Sequence, residues 1–223
     1  MSETKRKYVI PGELITGGSH RAIANVIKLP GGIYSTRIGM AEIGRDGVVV
    51  IPQSGKYAPR IDDKIIGKII NQTGSLWEVD INSFFNAVLP AQSVFGREFS
   101  SARDSLSDRF NIGDVIAAKI ANFDRTRDPM ISVSGPGLGK ISKGELVKIS
   151  SMKIPRLIGK RGSMIKMIEE CSKTKLIIGQ NGLVVVIGSD DGIKSAKEAI
   201  HLVNREAHSA DLTDMVQDLL GVS

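Results

Sequence analysis

The stretch Ile-Pro-Arg-Leu-Ile-Gly-Lys-Arg-Gly-Ser-Met-Ile, residues 154–165, determines how the C-terminal part of this chain folds. At its centre is Gly159-Lys160-Arg161-Gly162. Gly159 and Gly162 have no Cβ atom, so the backbone can turn sharply there and a polymer can pass close to it. The two side chains between the glycines point outward, and both are cationic. A helix predicted over 163–171 adds N–H groups and a dipole that favour an anion at the same place. The stretch therefore predicts a loop that contacts a negatively charged backbone.

The elements around this loop follow the order β-α-α-β-β-α. The sequence predicts a strand at Glu145–Ile149, a short helical turn before the loop, strands at Lys175–Ile178 and Leu183–Ile187, and a long helix after Asp190-Asp191. Between the last two strands, Gly179-Gln180-Asn181-Gly182 contains Asn-Gly, a strong signal for a tight turn. This order is that of a type I KH domain, in which a GXXG loop clamps the backbone of single-stranded RNA or DNA. We assign residues 141–223 to it.

The KH assignment predicts which residues bind. Gly159, Lys160, Arg161 and Gly162 would clamp the backbone, while Arg156 and Lys166 would give electrostatic support nearby.

Two helices are predicted to complete this domain. Asp190 and Asp191 are plausible capping residues for the first. Its apolar positions recur at three- and four-residue spacing, which predicts one buried face made by Ile193, Ala196, Ile200, Val203 and Ala207. The stretch from Leu212 to Leu220 is also amphipathic, and it packs on the KH domain or contacts a neighbouring subunit.

Residues 61–136 are predicted to form a five-stranded OB barrel. The candidate strands are Lys64–Ile70, Trp77–Ile81, Asn86–Leu89, Val115–Ile120 and Met130–Val133, with a polar, partly helical insertion at Gly96–Asn111. Such a barrel binds ligands on strands two and three and on the loops between strands one and two and strands four and five. Those loops would be residues 71–74 and 124–128. A turn-rich connector, residues 135–140, would end the barrel.

Charge is expected to dominate binding by this barrel. We assign its phosphate contacts to Lys68, Arg125 and Arg127. Trp77 shares the side of its strand with apolar residues, so we expect it in the core. Phe84 and Phe85 fall in a loop, where they contact either RNA or a neighbouring domain. Because aromatic residues make up only 4% of the chain, binding should be salt-sensitive and tolerant of sequence.

Residues 1–60 are predicted to form a small β module. Glycine and proline interrupt the apolar runs every few residues, which favours short hairpins over helices. Tyr8–Ile10, Glu13–Ile15 and Val48–Ile51 are its candidate strands. The module is too small to bury much core, so we expect it to dock on a partner.

The distribution of charge supports a polyanionic partner. The formal net charge is +6. Residues 1–60 carry +5, residues 61–140 carry −1, residues 141–180 carry +6 and residues 181–223 carry −4. The positive charge is therefore highest around the glycine loop and reverses just after it.

Composition argues against other classes of protein. No apolar run approaches the roughly 18 residues of a membrane span, and the N-terminus lacks a signal peptide, so we expect a cytoplasmic protein without membrane contact. The one cysteine, Cys171, excludes an internal disulfide framework. His20, His201 and His208 are scattered, and no motif for metal, cofactor or nucleophilic catalysis occurs. We therefore predict no enzyme activity, no metal and no cofactor.

The chain resembles a known family over nearly its whole length. Three motifs carry the resemblance: Tyr8-Val9-Ile10-Pro11-Gly12-Glu13-Leu14, Tyr57-Ala58-Pro59-Arg60-Ile61-Asp62-Asp63-Lys64-Ile65-Ile66-Gly67, and Gly179-Gln180-Asn181-Gly182. They are similar to motifs of the S1/KH cap subunits of the archaeal exosome, the ribosomal-RNA-processing proteins. The resemblance implies an N-terminal β module, an S1-type OB barrel and a KH domain.

In function, the resemblance implies a subunit without catalysis of its own. Three such subunits would cap a hexameric ring of RNase PH-like subunits and feed single-stranded RNA into its pore. A stand-alone RNA-binding regulator or translation-associated factor is the alternative. Asp62 departs from the family, which more often has glycine there. The positions where S1 barrels commonly stack bases on aromatics align with Leu76 and Leu89.

Overall fold

The computed structural model describes residues 5–53, 55–96, 99–100, 103–124, 126–207, 209 and 211–221. The chain divides into two compact units, Met1–Gly55 and Lys56–Ser223. We call these the N-terminal unit and the C-terminal unit.

The N-terminal unit consists of short strands, as the glycine and proline spacing predicts. They are β1 (Lys5–Val9), β2 (Leu14–Thr16), β3 (Ala22–Ala24), β4 (Val26–Leu29), β5 (Gly32–Ser35), β6 (Gly39–Gly44) and β7 (Gly47–Pro52). One sheet has the order β1-β6-β7-β3 and the other has the order β2-β5-β4. Val9, Ala41 and Val50 form a small buried cluster between them. The core of this unit is therefore limited.

The C-terminal unit begins with a closed β-barrel, which confirms the predicted OB fold. Its strands are β8 (Lys64–Thr73), β9 (Leu76–Asp80), β10 (Asn86–Pro90), β11 (Val115–Asn122) and β12 (Met130–Ser132). Their order is β12-β10-β9-β8-β11, and β12 also pairs with β11 and closes the barrel. The apolar positions of β9 alternate with polar ones, so one side faces the core.

The insertion after β10 packs against the core of the barrel. It contains the short helix α1 (Gln92–Phe95) and a 3-10 turn, Leu106–Asp108. Trp77 is fully buried, and its Nε1 donates a hydrogen bond to the carbonyl oxygen of Phe110 at 3.1 Å. The rings of Phe95 and Phe110 both contact the Trp77 ring. Trp77 is therefore a core residue, as predicted.

The predicted connector is partly wrong. Its last residues belong to a further strand, β13 (Gly139–Ile141), which pairs with β11. Lys140 forms an ion pair with Asp114 at 2.6 Å, and Ile141 packs against the buried cluster that contains Ile66. The glycines at 135, 137 and 139 predict turns, so the sequence does not indicate this strand. The strand forms because β11 has a free edge with which it can pair.

The KH fold is confirmed in the remainder of the unit. Its elements are β14 (Glu145–Lys148), a 3-10 turn (Ser151–Lys153), α2 (Ile154–Ile158), α3 (Ser163–Ser172), β15 (Lys175–Ile178), β16 (Leu183–Ile187), α4 (Asp190–Glu206) and α5 (Leu212–Leu219). The antiparallel sheet has the order β14-β16-β15.

The two C-terminal helices differ slightly from expectation. The N-cap of α4 is Ser189, whose side chain accepts a hydrogen bond from Gly192 N. Asp190 and Asp191 lie in the first turn, so the prediction that they cap the helix is wrong, although their charge still favours this end of the helix dipole. Helix α5 packs on the KH core through the buried Leu212 and Val216.

The KH domain packs directly on the barrel. Alternate residues of β16 face opposite sides of the sheet. Val184 and Val186 face the helices, whereas Leu183 and Val185 pack with Ile66 of the barrel. The barrel and the KH domain therefore share a buried apolar contact.

The turn at 179–182 joins the same surfaces through hydrogen bonds. Asn181 is completely buried and bonds to the backbone of Ile66 and Ile81. A Cβ atom on Gly179 would lie 2.7 Å from Ile66 N, so only glycine fits at that position. The turn predicted from Asn-Gly is thus a contact between the two domains.

Candidate nucleic-acid interface

The glycine loop Gly159–Gly162 makes a tight turn between α2 and α3. Gly159 has φ 74° and ψ 176°, and Gly162 has φ 80°. A Cβ atom on Gly159 would lie 2.7 Å from the backbone nitrogen of Met164. Both conformation and space therefore require glycine at residue 159.

Arg161 is held in a strained conformation at the tip of this loop. Its φ of 56° and ψ of 28° are left-handed, and this region costs a non-glycine residue about 1–2 kcal/mol. The side chains of Lys160 and Arg161 are both exposed. The buried Leu157 and Ile168 fix α2 and α3 in the KH core. A rigid scaffold therefore holds two cations at a strained, exposed turn.

The N-terminus of α3 faces this loop without a side-chain cap. Its N-cap residue is Gly162, and its first turn contains no acidic residue. The first N–H groups of a helix have no partner within the helix, and the dipole makes this end positive. Together with the loop cations, they suit a phosphate group.

Arg156 and Lys166 flank the loop on α2 and α3, and both are exposed. Neither these residues nor Lys160 and Arg161 form an ion pair with any carboxylate in the described parts of the chain. The hairpin of α2, loop and α3 therefore brings together all six residues predicted for the KH site.

The barrel lacks an aromatic face on strands two and three. The outward residues of β9 are Leu76, Glu78 and Asp80, and Glu78 accepts a hydrogen bond from Asn86 at 2.6 Å. Leu89, one of the two positions aligned with base-stacking aromatics, is fully buried opposite Trp77. The alignment of Leu89 with an exposed face was therefore wrong, because an inward position of β10 cannot reach a ligand.

The structure describes two of the three predicted phosphate contacts of the barrel. Lys68 is exposed in the middle of β8, directly across from Asp80. Arg127 is exposed in the loop between β11 and β12. Arg125, in the same loop, lies outside the described residues.

The two predicted binding loops of the barrel have different outcomes. Asn71, Gln72 and Thr73 belong to β8, so the loop predicted at 71–74 is mostly strand. In the loop after β11, hydrogen bonds from Thr126 and the backbone of Arg127 hold the pKa of Asp124 below its ordinary value. An ionised Asp124 thus organises this turn.

Two residues have contacts that the sequence does not reveal. The sequence indicates only that Asn181 belongs to a turn, because its partners in the barrel are distant in sequence. Nothing in the sequence marks Lys56, yet its Nζ lies 5.2 Å from the centre of the Phe84 ring. Only the folded chain brings this cation and this exposed aromatic together.

The described residues hold neither a metal-ligand cluster nor a membrane-spanning helix. No group of three or more His, Cys, Asp or Glu side chains is arranged to hold a metal ion. His201 is exposed, and His208 lies outside the part of the chain that the structure describes. No described helix is long and apolar enough to cross a lipid bilayer.

Comparison with known proteins agrees with this architecture. The KH domain family matches residues 144–202. A solved structure described as a putative exosome complex RNA-binding protein is 37% identical, with a TM-score of 0.71, over 75% of this chain and 96% of its own.

Curated relatives match almost the whole chain. The exosome complex component Rrp4 of Nitrosopumilus maritimus is 53% identical over 97% of this chain and 96% of its own length. Proteins of the same name from Methanobrevibacter smithii and Thermofilum pendens are each 39% identical, over 98% and 96% of this chain and 72% and 92% of their own lengths. At this identity and coverage, the chain belongs to the Rrp4 family of exosome complex components.

Proposed function

We propose that this chain is a non-catalytic RNA-binding cap of the exosome that acts in the cytoplasm. It recruits single-stranded RNA and guides it to the pore of a hexameric ring of RNase PH-like subunits, with three copies per ring. The observation that carries the RNA-binding role is the glycine loop, where exposed, unpaired cations stand at the uncapped N-terminus of α3.

The KH site holds the RNA backbone in this proposal. Gly159 and Gly162 allow close approach, and the two residues between them contact phosphate. Arg156 and Lys166 raise the local positive potential. The barrel adds weaker phosphate contacts through Lys68, Arg125 and Arg127, and the carboxylates near β9 limit how strongly it attracts RNA.

The N-terminal unit docks on the ring. Its large exposed apolar side chains are Tyr8, Ile10, Leu14, Ile23, Ile27, Leu29, Ile38 and Ile51. This is half of the sixteen such side chains found among the described residues, in about a quarter of the chain. Exposed apolar surface at this density is typical of a protein contact, and the small core of the unit would gain from it.

The mass of the assembly tests the cap role. The purified full-length chain is mixed with RNase PH-like ring subunits, and the complex is weighed by light scattering. We expect about nine chains. A chain that stays monomeric and binds RNA would instead favour a stand-alone regulator.

A matched pair of variants tests the docking surface. Replacing Ile23, Ile27 and Leu29 with serine should weaken assembly. The same change at Ile61, Ile70 and Ile112, which are exposed in the C-terminal unit, should not. Equal assembly by both variants would contradict docking through these residues.

A further inference from the structure

The loop between β9 and β10, residues 81–85, exposes the most accessible large apolar side chain among the described residues. The side chain of Phe84 is 67% exposed. A phenylalanine contributes a large apolar surface, and leaving it in water has no structural benefit. Its neighbour Phe85 behaves differently, because its ring packs edge-on against Phe123 with 5.2 Å between centres.

This loop is held rigidly. Asn82 Nδ2 donates a hydrogen bond to the carbonyl of Asn181 at 2.8 Å, and Asn82 N donates to Asp80 Oδ1 at 2.8 Å. On the other side, Ser83 Oγ donates to the carbonyl of Tyr57, also at 2.8 Å. Phe84 is therefore an exposed ring on a fixed backbone, and binding on it would cost little loop entropy.

One cation lies at the ring, and a second lies at the same end of the barrel. The ammonium of Lys56 lies 5.2 Å from the Phe84 centroid. Strand β8 is antiparallel to both β9 and β11, so β9 and β11 end at the same end of the barrel. The exposed Arg127 follows β11, and it therefore lies at the end of the barrel that carries Phe84.

An exposed aromatic beside an ammonium group is suited to single-stranded nucleic acid, because a base stacks on the ring while the cation contacts phosphate. A protein hot spot would differ, since such residues sit inside a wider apolar surface. The residues next to Phe84 in the chain are polar or partly covered: Ser83, Phe85 and Asn86.

We propose that Phe84 stacks on a base of single-stranded RNA and that Lys56 binds the adjoining phosphate. This inference rests on the proposed RNA-binding function and adds a contact at the end of the barrel. The contact supplies the stacking that strands two and three lack. Asn82 bonds to Asn181 in the turn at 179–182 of the KH domain. The distance between Phe84 and the glycine loop is therefore fixed.

Binding of a short, labelled, mixed-sequence single-stranded RNA by the full-length chain tests the proposal. We expect Phe84→Ala and Phe84→Leu to weaken binding about five-fold or more, because base stacking requires the aromatic ring. Ile112→Ala is the matched control, since Ile112 is 63% exposed and precedes β11 at the opposite end of the barrel. Binding of an RNA duplex should not change, because its bases are already stacked.

A fluorescent variant gives an independent measurement. The native chain has one tryptophan, Trp77, which is buried. Single-stranded RNA should therefore quench Phe84→Trp and leave the native protein unchanged. An unquenched variant would overturn the proposal.

The remaining outcomes separate this inference from the proposed function. If Phe84→Ala binds like the native chain while a Lys160→Asp, Arg161→Asp double variant binds weakly, the stacking contact is wrong and the KH site stands. If the native chain binds no RNA, both fail. If Phe84→Ala keeps its RNA affinity but assembles poorly with the RNase PH-like subunits, the Phe84 side chain contacts a protein partner instead of RNA.

Discussion

The side chain of Asn181 pairs with Ile66 as a neighbouring β-strand would. Its Oδ1 accepts a hydrogen bond from Ile66 N at 3.2 Å, and its Nδ2 donates to Ile66 O at 2.6 Å. The same Nδ2 donates to Ile81 O at 2.8 Å. One buried amide of the KH domain therefore satisfies three backbone groups of the barrel.

Replacing Asn181 should destabilise the C-terminal unit strongly. Asn181→Ala leaves buried donors and acceptors without partners, and we expect a loss of about 2–4 kcal/mol in the free energy of unfolding. Asn82→Gly, which removes one half-buried hydrogen bond to the same turn and still permits the φ of 55° at this residue, should cost about 1 kcal/mol. Urea unfolding of both variants measures the difference. Equal, small losses would show that the barrel and KH domain do not depend on this contact.

Arg161→Gly should separate stability from RNA binding. Glycine relieves the left-handed strain but loses more entropy on folding, so stability should change by less than about 1 kcal/mol. RNA affinity should fall several-fold, because one phosphate contact is lost. Arg161→Lys keeps the charge and should bind close to the native level. A glycine variant with native affinity would show that Arg161 makes no contact with RNA.

Tyr57 should make the protein sensitive to alkaline pH. Burial, together with the hydrogen bond from Tyr57 Oη to Asp63 at 2.6 Å, raises the pKa of Tyr57 well above its ordinary value. The unfolded chain therefore loses this proton first, so the stabilisation is complete below about pH 10 and decreases as the pH rises above it.

Variants at two tyrosines check this expectation. Between neutral pH and about pH 11, the native chain should lose more unfolding free energy than Tyr57→Phe, which has no proton to lose there. Tyr8→Phe is the control, because Tyr8 is 64% exposed. A Tyr57→Phe variant with the same alkaline profile as the native chain would contradict the assigned cause.

Local patterns explain why much of the fold was predictable. Several elements depend only on residues that are close in sequence. They are the glycine loop, the strands on either side of Asn181-Gly182 and the alternating pattern around Trp77. The OB fold could be predicted from the number of barrel strands and the insertion after the third. The loop predicted at 71–74 failed because β8 is longer than its apolar pattern, and its last residues are polar yet still pair with β9.

Features that depend on distant residues were not predictable. Strand β13 exists because β11 has a free edge, and the role of Asn181 depends on Ile66 and Ile81. The pairing of Lys56 with Phe84 likewise needs the strand directions of the closed barrel. The strain at Arg161 is invisible in the sequence, because Gly-Lys-Arg-Gly does not fix which residue adopts the left-handed conformation.

RNA affinity of the Lys160→Asp, Arg161→Asp double variant, measured across a salt series with the full-length chain, tests the central claim most directly. If the glycine loop holds the RNA backbone, the double variant binds RNA more weakly than the native chain does at low salt. The plot of log affinity against log salt also becomes shallower, and the magnitude of its slope decreases by about 1.4, since each phosphate contact to a single strand contributes about 0.7. Native affinity and an unchanged slope would contradict the claim.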